Sequence, residues 1–278
     1  MTTIFQQLIG LHRAEFGKAS ALQARILFVQ AVQVSIAVLS VFISNATVAY
    51  VFALISCAAA CVWIWLWAEY KASRGLAERV RRLTLVADGL GMTISEAELL
   101  QIKASFSVSE AEAERLADRN YYDVAAGAGP ARLAGMIEQS AFWSAYLLRK
   151  SAVWTWVYLA GTIACILALL VSIPLMDADA GLTGARIACA AILFPLSSDF
   201  LGAALSYRSA AAEVEQVKTR LLAARTAGTP LPDVLTIMGD YNAAVEGAPM
   251  FVRGVYKKHN ERLNWLWAEY QAGVRRPA

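Results

Sequence analysis

Four stretches of near-zero formal charge constrain this chain more than anything else in it. They run from Ile26 to Ser44, Val48 to Ala68, Ala152 to Val171 and Ile187 to Tyr207. A helix needs roughly 20 apolar residues to cross a hydrocarbon core about 30 Å thick. Four such runs within 278 residues, 58% of them apolar, are more than a soluble core requires. Lipid is the simplest place for them, and a lipid bilayer is the first expected partner. The net charge of +3 is too mild to imply a nucleic-acid polymer as ligand.

The basic residues give an orientation, because cytoplasmic flanks of membrane spans collect Lys and Arg. Three precede the first block (Arg13, Lys18 and Arg25), eleven lie between Glu69 and Lys150, and ten follow Tyr207. The turn Asn45-Ala46-Thr47 holds none, and the loop before the fourth block holds only Arg186. The expectation is an all-α, multi-pass inner-membrane protein with both termini in the cytoplasm. Its parts are an N-terminal amphipathic helix (1–25), a first transmembrane hairpin (26–68), a helical insert (69–150), a second hairpin (151–207) and a helical tail (208–278). No cleavable signal peptide is expected, since the first block is too long and a second span follows at once. Asn45-Ala46-Thr47 matches a glycosylation acceptor but reads as a tight turn.

Local signals place the remaining helices. In the first segment Ile4, Leu8 and Leu11 share a face that suits either the membrane surface or the helical insert. Ser95 with Glu98, and Ser109 with Glu112, form capping boxes, so helices are expected over about 95–104 and 109–119. Asp88, Gly89 and Gly91 should end the helix before them, and residues 120–129 should be irregular. Pro130 suits a first helical position. After the fourth block a helix to about 227 carries Val214, Val217, Leu221 and Leu222 as an apolar stripe. Two more are expected near 232–245 and 249–272. The hexapeptide Trp65–Tyr70 recurs identically as Trp265–Tyr270. The match extends no further, and both copies read as aromatic helix ends near a membrane surface.

Chemistry is sparse. Cys57, Cys61, Cys165 and Cys189 all fall inside the apolar blocks, where they pack as small residues or, for the Cys57/Cys61 pair, suit a metal or disulfide. His12 and His259 belong to no metal or triad spacing. Gly89-Leu90-Gly91 and Gly127-Ala128-Gly129 read as turns rather than phosphate loops. No catalytic residue, metal site or cofactor is expected. Asp199 is the one acid within a block; with Gln30, Gln33, Ser197 and Ser198 it forms either the polar lining of a pore or buried structural glue tied to Gln33 or Tyr158. A pore would require several copies, since four helices enclose little space.

Tyr121-Tyr122-Asp123, the run from Gly129-Pro130 to Glu138-Gln139-Ser140-Ala141-Phe142-Trp143, and Asp240-Tyr241-Asn242 with Ala248-Pro249 give the chain a familiar look. With its order of spans and insert, it resembles the SMODS-associated four-transmembrane effectors linked to cyclic-oligonucleotide synthases in bacterial anti-phage signalling. The resemblance is mostly architectural and runs the whole length. It implies a homo-oligomeric, pore-forming or membrane-disrupting effector gated by a nucleotide. Phosphates need cations and bases need aromatic faces, which points to Arg79, Arg81, Arg82, Arg132, Tyr121 and Tyr122. Positive-inside anchoring or anionic-lipid contact is the commoner role for a cluster such as Arg79–Arg82, and packing against neighbouring helices the commoner role for Tyr121 and Tyr122. The competing reading is a non-channel scaffold whose cytoplasmic helices bind a protein partner. A small-solute transporter fits less well, and a membrane enzyme least.

Overall fold

A computed structural model of the protein describes residues 4–43, 45–118, 121–172 and 200–275, with residues 179, 183–184, 187–188 and 192 between them. Helices account for its bounded elements: α1 (Ile4–Ser40), α2 (Ala46–Leu90), α3 (Glu96–Ser105), α4 (Glu110–Leu116), α5 (Pro130–Ser172), α6 (Phe200–Thr226), α7 (Leu231–Gly247) and α8 (Val255–Arg275). No strand occurs among the described residues. The chain divides into two compact units. Unit 1 comprises Met1–Lys18, Ala72–Ala152 and Leu205–Ala278; unit 2 comprises Ala19–Lys71 and Val153–Ala204. Helices α1, α2, α5 and α6 each run unbroken through residues of both.

Three helices are long and apolar enough to cross a membrane: Ile4–Ser40, Ala46–Leu90 and Pro130–Ala168. In unit 2 their side chains are largely uncovered. Tyr50, Leu54, Ile64 and Trp65 of α2, and Val153 and Val157 of α5, are all exposed. Such a continuous apolar surface suits a membrane protein and not a soluble one. Part of the fourth apolar block, including Cys189, Ser197, Ser198 and Asp199, lies outside the described residues. Cys57, Cys61 and Cys165 are free thiols and exposed.

Unit 1 is built by the local rules the sequence announces. Ser95 and Ser109 are the N-caps of α3 and α4, and each hydroxyl accepts from the backbone N–H three residues on. Helix α2 ends at Leu90 because Gly91 takes the left-handed conformation, φ 69°. Pro130 opens α5. Two expectations shift. Helix α8 begins at Val255 rather than near 249, because Pro249 holds Ala248 in extended backbone and Gly254 sits at φ 87°. On α6, Val214, Val217 and Leu221 are buried while Leu222 is exposed, since a residue one step on from Leu221 turns about 100° away from the stripe.

The N-terminal segment packs on unit 1. Leu8 forms a core with Val80 of α2 and Ile102 of α3, flanked by Leu76, Leu83 and Phe106. Leu11 is buried too, but Ile4 is exposed. Helix α4 crosses α1 closely at Gly10, where a Cβ would stand 2.1 Å from the Ala113 carbonyl oxygen. A second core joins Leu147 of α5 to Val255 and Leu263 of α8. Between these cores the interior of unit 1 is unusually polar, and that polarity defines its site.

Candidate functional site

Arg81 stands at the centre of the polar interior. It points inward from α2 and is buried. A buried guanidinium is tolerable only when its donors are matched. Here Nε donates to Glu78 at 2.9 Å, Nη1 to the Tyr241 hydroxyl at 3.2 Å and Nη2 to Asn242 Oδ1 at 3.2 Å. Burial opposes the charge, but Tyr241, Glu78, Tyr122 and Glu246 outweigh it and hold the guanidinium protonated. Tyr241 also shares a hydrogen bond with Ser144 at 3.0 Å. Beneath α7, Arg74 donates to the carbonyls of Val245, Glu246 and Ala248, closing the C-terminus of that helix.

The two tyrosines join this network from the loop before α5. Tyr121 and Tyr122 meet edge to face, 4.8 Å between centroids, and His12 packs edge-on to Tyr121 at 5.7 Å. The Arg13 guanidinium lies 5.6 Å from the Tyr121 ring centre. Burial pushes the Tyr121 phenol up to about 12, and that of Tyr122 well above its usual range. The His12 imidazole is pushed down to about 3 by burial and by the neighbouring Arg81 and Arg13 charges. The ring is therefore neutral at pH 7. Its Nδ1 bonds the Leu8 carbonyl at 3.1 Å, and Nε2 has no hydrogen-bond partner among the described residues. Glu15, one turn along α1, is fully buried as well; it accepts from Ser73 and, at 2.8 Å each, from the N–H and hydroxyl of Ser107.

The sequence-derived ligand residues are thus partly gathered and mostly occupied. Arg81, Tyr121 and Tyr122 share one cluster. Arg79 is paired with Glu98 at 2.8 Å and Arg82 with Glu246 at 2.8 Å, both near the surface. Arg132 stands apart. It grips Asp88 with one nitrogen at 2.9 and 3.2 Å, and with the other donates to the Val124 and Ala126 carbonyls at 3.0 and 3.2 Å. In unit 2, Gln30 is buried and Gln33 half-buried, while Tyr158 is exposed.

The loop whose Val124 and Ala126 carbonyls Arg132 fixes lines a cavity of about 300 Å³ in unit 1. Asp123 to Ala126 contribute to the lining, with Gly135 and Glu138 of α5, Arg225 of α6, and Trp267, Tyr270 and Gln271 of α8. Glu138 is buried, receives the Tyr270 hydroxyl at 2.6 Å and is paired with Arg225. Burial and the Glu138 charge raise the Tyr270 phenol above its usual range. Trp267 and Tyr270 stack at 5.4 Å, and Phe142 meets both at 5.3 and 5.6 Å. The Trp267 indole N–H has no acceptor among the described residues. Gln271 donates to the Asp123 carbonyl at 3.0 Å, and Gln139 accepts from the Asp123 N–H at 2.9 Å. No group of residues suited to a metal ion occurs among those described.

No protein-family model, curated protein or solved structure matches this chain. The site therefore rests on its own chemistry. Tyr122 and Asp123 straddle the polar network and the cavity, Glu138 and Phe142 line or border the cavity, and Tyr241-Asn242 hold Arg81. Trp267 and Tyr270 come from the second copy of the repeated hexapeptide. Glu138, Arg225 and Gln271 escaped the sequence reading because their pairing spans more than eighty residues.

Proposed function

We propose that this chain is a bacterial inner-membrane effector of anti-phage signalling. In this reading four helices cross the bilayer, both termini and unit 1 lie in the cytoplasm, and copies assemble to permeabilise the membrane when a nucleotide signal, of the cyclic-oligonucleotide class, reaches unit 1. One observation carries it: membrane-length helices α1, α2 and α5 each run without a break from unit 1 residues into exposed apolar surface. The placement of the basic residues supports the orientation. The resemblance supports the ligand class, and the loop tyrosines beside Arg81 supply aromatic faces next to a buried cation.

One observation favours the scaffold reading instead. Arg79, Arg82 and Arg132 each already hold a carboxylate, so a phosphate would have to displace Glu98, Glu246 or Asp88. A single experiment separates the two. The full chain is reconstituted in anionic liposomes loaded with a self-quenched dye, and cyclic di- and trinucleotides are added. Dye release above the empty-liposome baseline is expected with one of them. Intact, oriented protein that releases no dye with any nucleotide, and none when co-expressed with a nucleotide cyclase in cells, would overturn the effector reading.

A further inference from the structure

The geometry points to a binding site for a small organic ammonium, an amine or polyamine, in the cavity between Glu138 and the Trp267–Tyr270 stack. This does not rest on the membrane-effector reading and stands or falls separately. Three features of the cavity select a cation. Its lining carries two carboxylates, Asp123 and Glu138, against the single guanidinium of Arg225. Asp123 engages the protein through its backbone N–H and carbonyl, and its exposed carboxylate has no ion pair or hydrogen bond among the described residues. Arg225 is paired with Glu138, which leaves Asp123 as the unpaired charge of the lining.

Glu138 retains room for another donor. A carboxylate offers about four acceptor positions. Tyr270 takes one at 2.6 Å, Arg225 pairs with Oε2, and the remaining Arg225 contact to Oε1 is stretched to 3.4 Å. An ammonium N–H can occupy the position that this long contact leaves weakly filled.

The aromatic lining supplies the third feature. Trp267 and Tyr270, stacked on each other, both line the cavity, and aromatic rings attract ammonium. The same aromatic group already holds a cation of the protein itself, Lys218, whose Nζ lies 5.4 Å from the centre of the Phe142 ring. An anion would face two carboxylates, with an engaged guanidinium and the single Trp267 indole N–H to meet.

The test is calorimetric titration of the detergent-solubilised full chain with spermidine and with benzylamine, and with adenosine monophosphate as the anionic comparison. Ala131, an exposed helical residue on the cavity wall, can be enlarged without entering the core. The wild type is expected to bind both amines at one site per chain and to bind the nucleotide more weakly. Ala131→Leu should abolish amine binding with no change in melting temperature. Asp123→Asn should weaken it about threefold, the effect shrinking at high salt. Three results would overturn the proposal: no heat with either amine from folded protein, amine binding that survives Ala131→Leu, or a nucleotide that binds tighter than the amines and is lost in Ala131→Leu. Dye release from liposomes is scored separately, so failure of this site leaves the effector reading untouched, and the converse holds.

Discussion

Arg81 and Tyr241 meet in two ways at once: the guanidinium donates to the phenol oxygen at 3.2 Å and its carbon lies 5.3 Å from the ring centre. The pair joins α2 to α7 in the interior of unit 1, across 160 residues of sequence. Removing the cation leaves Glu78 buried without its closest partner, and breaking a buried pair from one side costs about 3–5 kcal/mol. Arg81→Met should therefore lose most of the stability of unit 1. Tyr241→Phe keeps the ring and removes only the hydroxyl shared by Arg81 and Ser144, so about 1–2 kcal/mol is expected. Thermal unfolding in detergent ranks the two, and equal losses would contradict this account.

Gly10 and Gly17 give a matched test of packing on one helix. A methyl at Gly10 would stand 2.1 Å from the Ala113 carbonyl oxygen, so Gly10→Ala must push α4 away from α1, at about 1–3 kcal/mol. At Gly17 nothing lies within 4 Å, and Gly17→Ala should stabilise α1 by up to about 1 kcal/mol through helix propensity alone. Melting temperatures should move in opposite directions.

Unit 1 should lose stability toward acid because of His12. In the fold its imidazole stays neutral down to about pH 3, held down by burial and then by Arg81, whereas the unfolded chain takes up a proton near 6.5. The unfolded state thus binds more protons in this window, and stability falls as the pH drops from 6.5 toward 3, by at most about 1.4 kcal/mol per pH unit. The signature is a difference: His12→Gln should flatten the wild-type slope between pH 6.5 and 4. On the alkaline side Tyr121 stays neutral to about 12 while an unfolded phenol ionises near 10, so stability should also fall as the pH rises above 10. Denaturant titrations across this range check both limbs.

Local signals carried the fold further than the site. Ser95, Ser109, Gly91 and Pro130 act within a few residues of chain, so each marks a helix end that the sequence shows directly. The α8 start was misplaced because Gly254, and not Pro249, sets the first turn. The site depends on distance. Glu15 and Glu138 look like surface residues in sequence, yet both are buried, and partners more than fifty residues away, Ser73, Ser107, Arg225 and Tyr270 among them, satisfy them. Arginine clusters were visible; the carboxylates that occupy them were not, since Glu98 reads as a cap residue and Glu246 as a helix end.

The proposed membrane orientation rests on the placement of the basic residues and can be checked without purification. A reporter placed after Thr47 should face the opposite side of the membrane from one placed at Ala278. Phosphatase and fluorescent-protein fusions at both positions give the answer. The same side for both would contradict the two-hairpin arrangement.

Arg79, Arg82 and Arg132 separate a structural role from a receptive one. The Arg79 and Arg82 side chains are nearly half exposed in their ion pairs. Exposed pairs contribute little, so Arg79→Gln and Arg82→Gln should each change stability by less than about 1 kcal/mol. Arg132 is less exposed, and its fork satisfies two loop carbonyls as well as Asp88. Arg132→Gln should cost about 1–3 kcal/mol, because those groups lose their donors. If unit 1 receives an anionic signal through the surface arginines, the Arg79→Gln/Arg82→Gln double variant should stop nucleotide-dependent dye release while melting like the wild type. Full release from that double variant would confine the anion to the Arg81–Tyr121 cluster, where Arg13 and Arg81 are the remaining cations. Arg132→Gln should instead lower the melting temperature and, by loosening the Val124–Ala126 wall, weaken amine binding in the cavity. A normal melt with normal amine affinity would show that the loop holds its shape without this side chain.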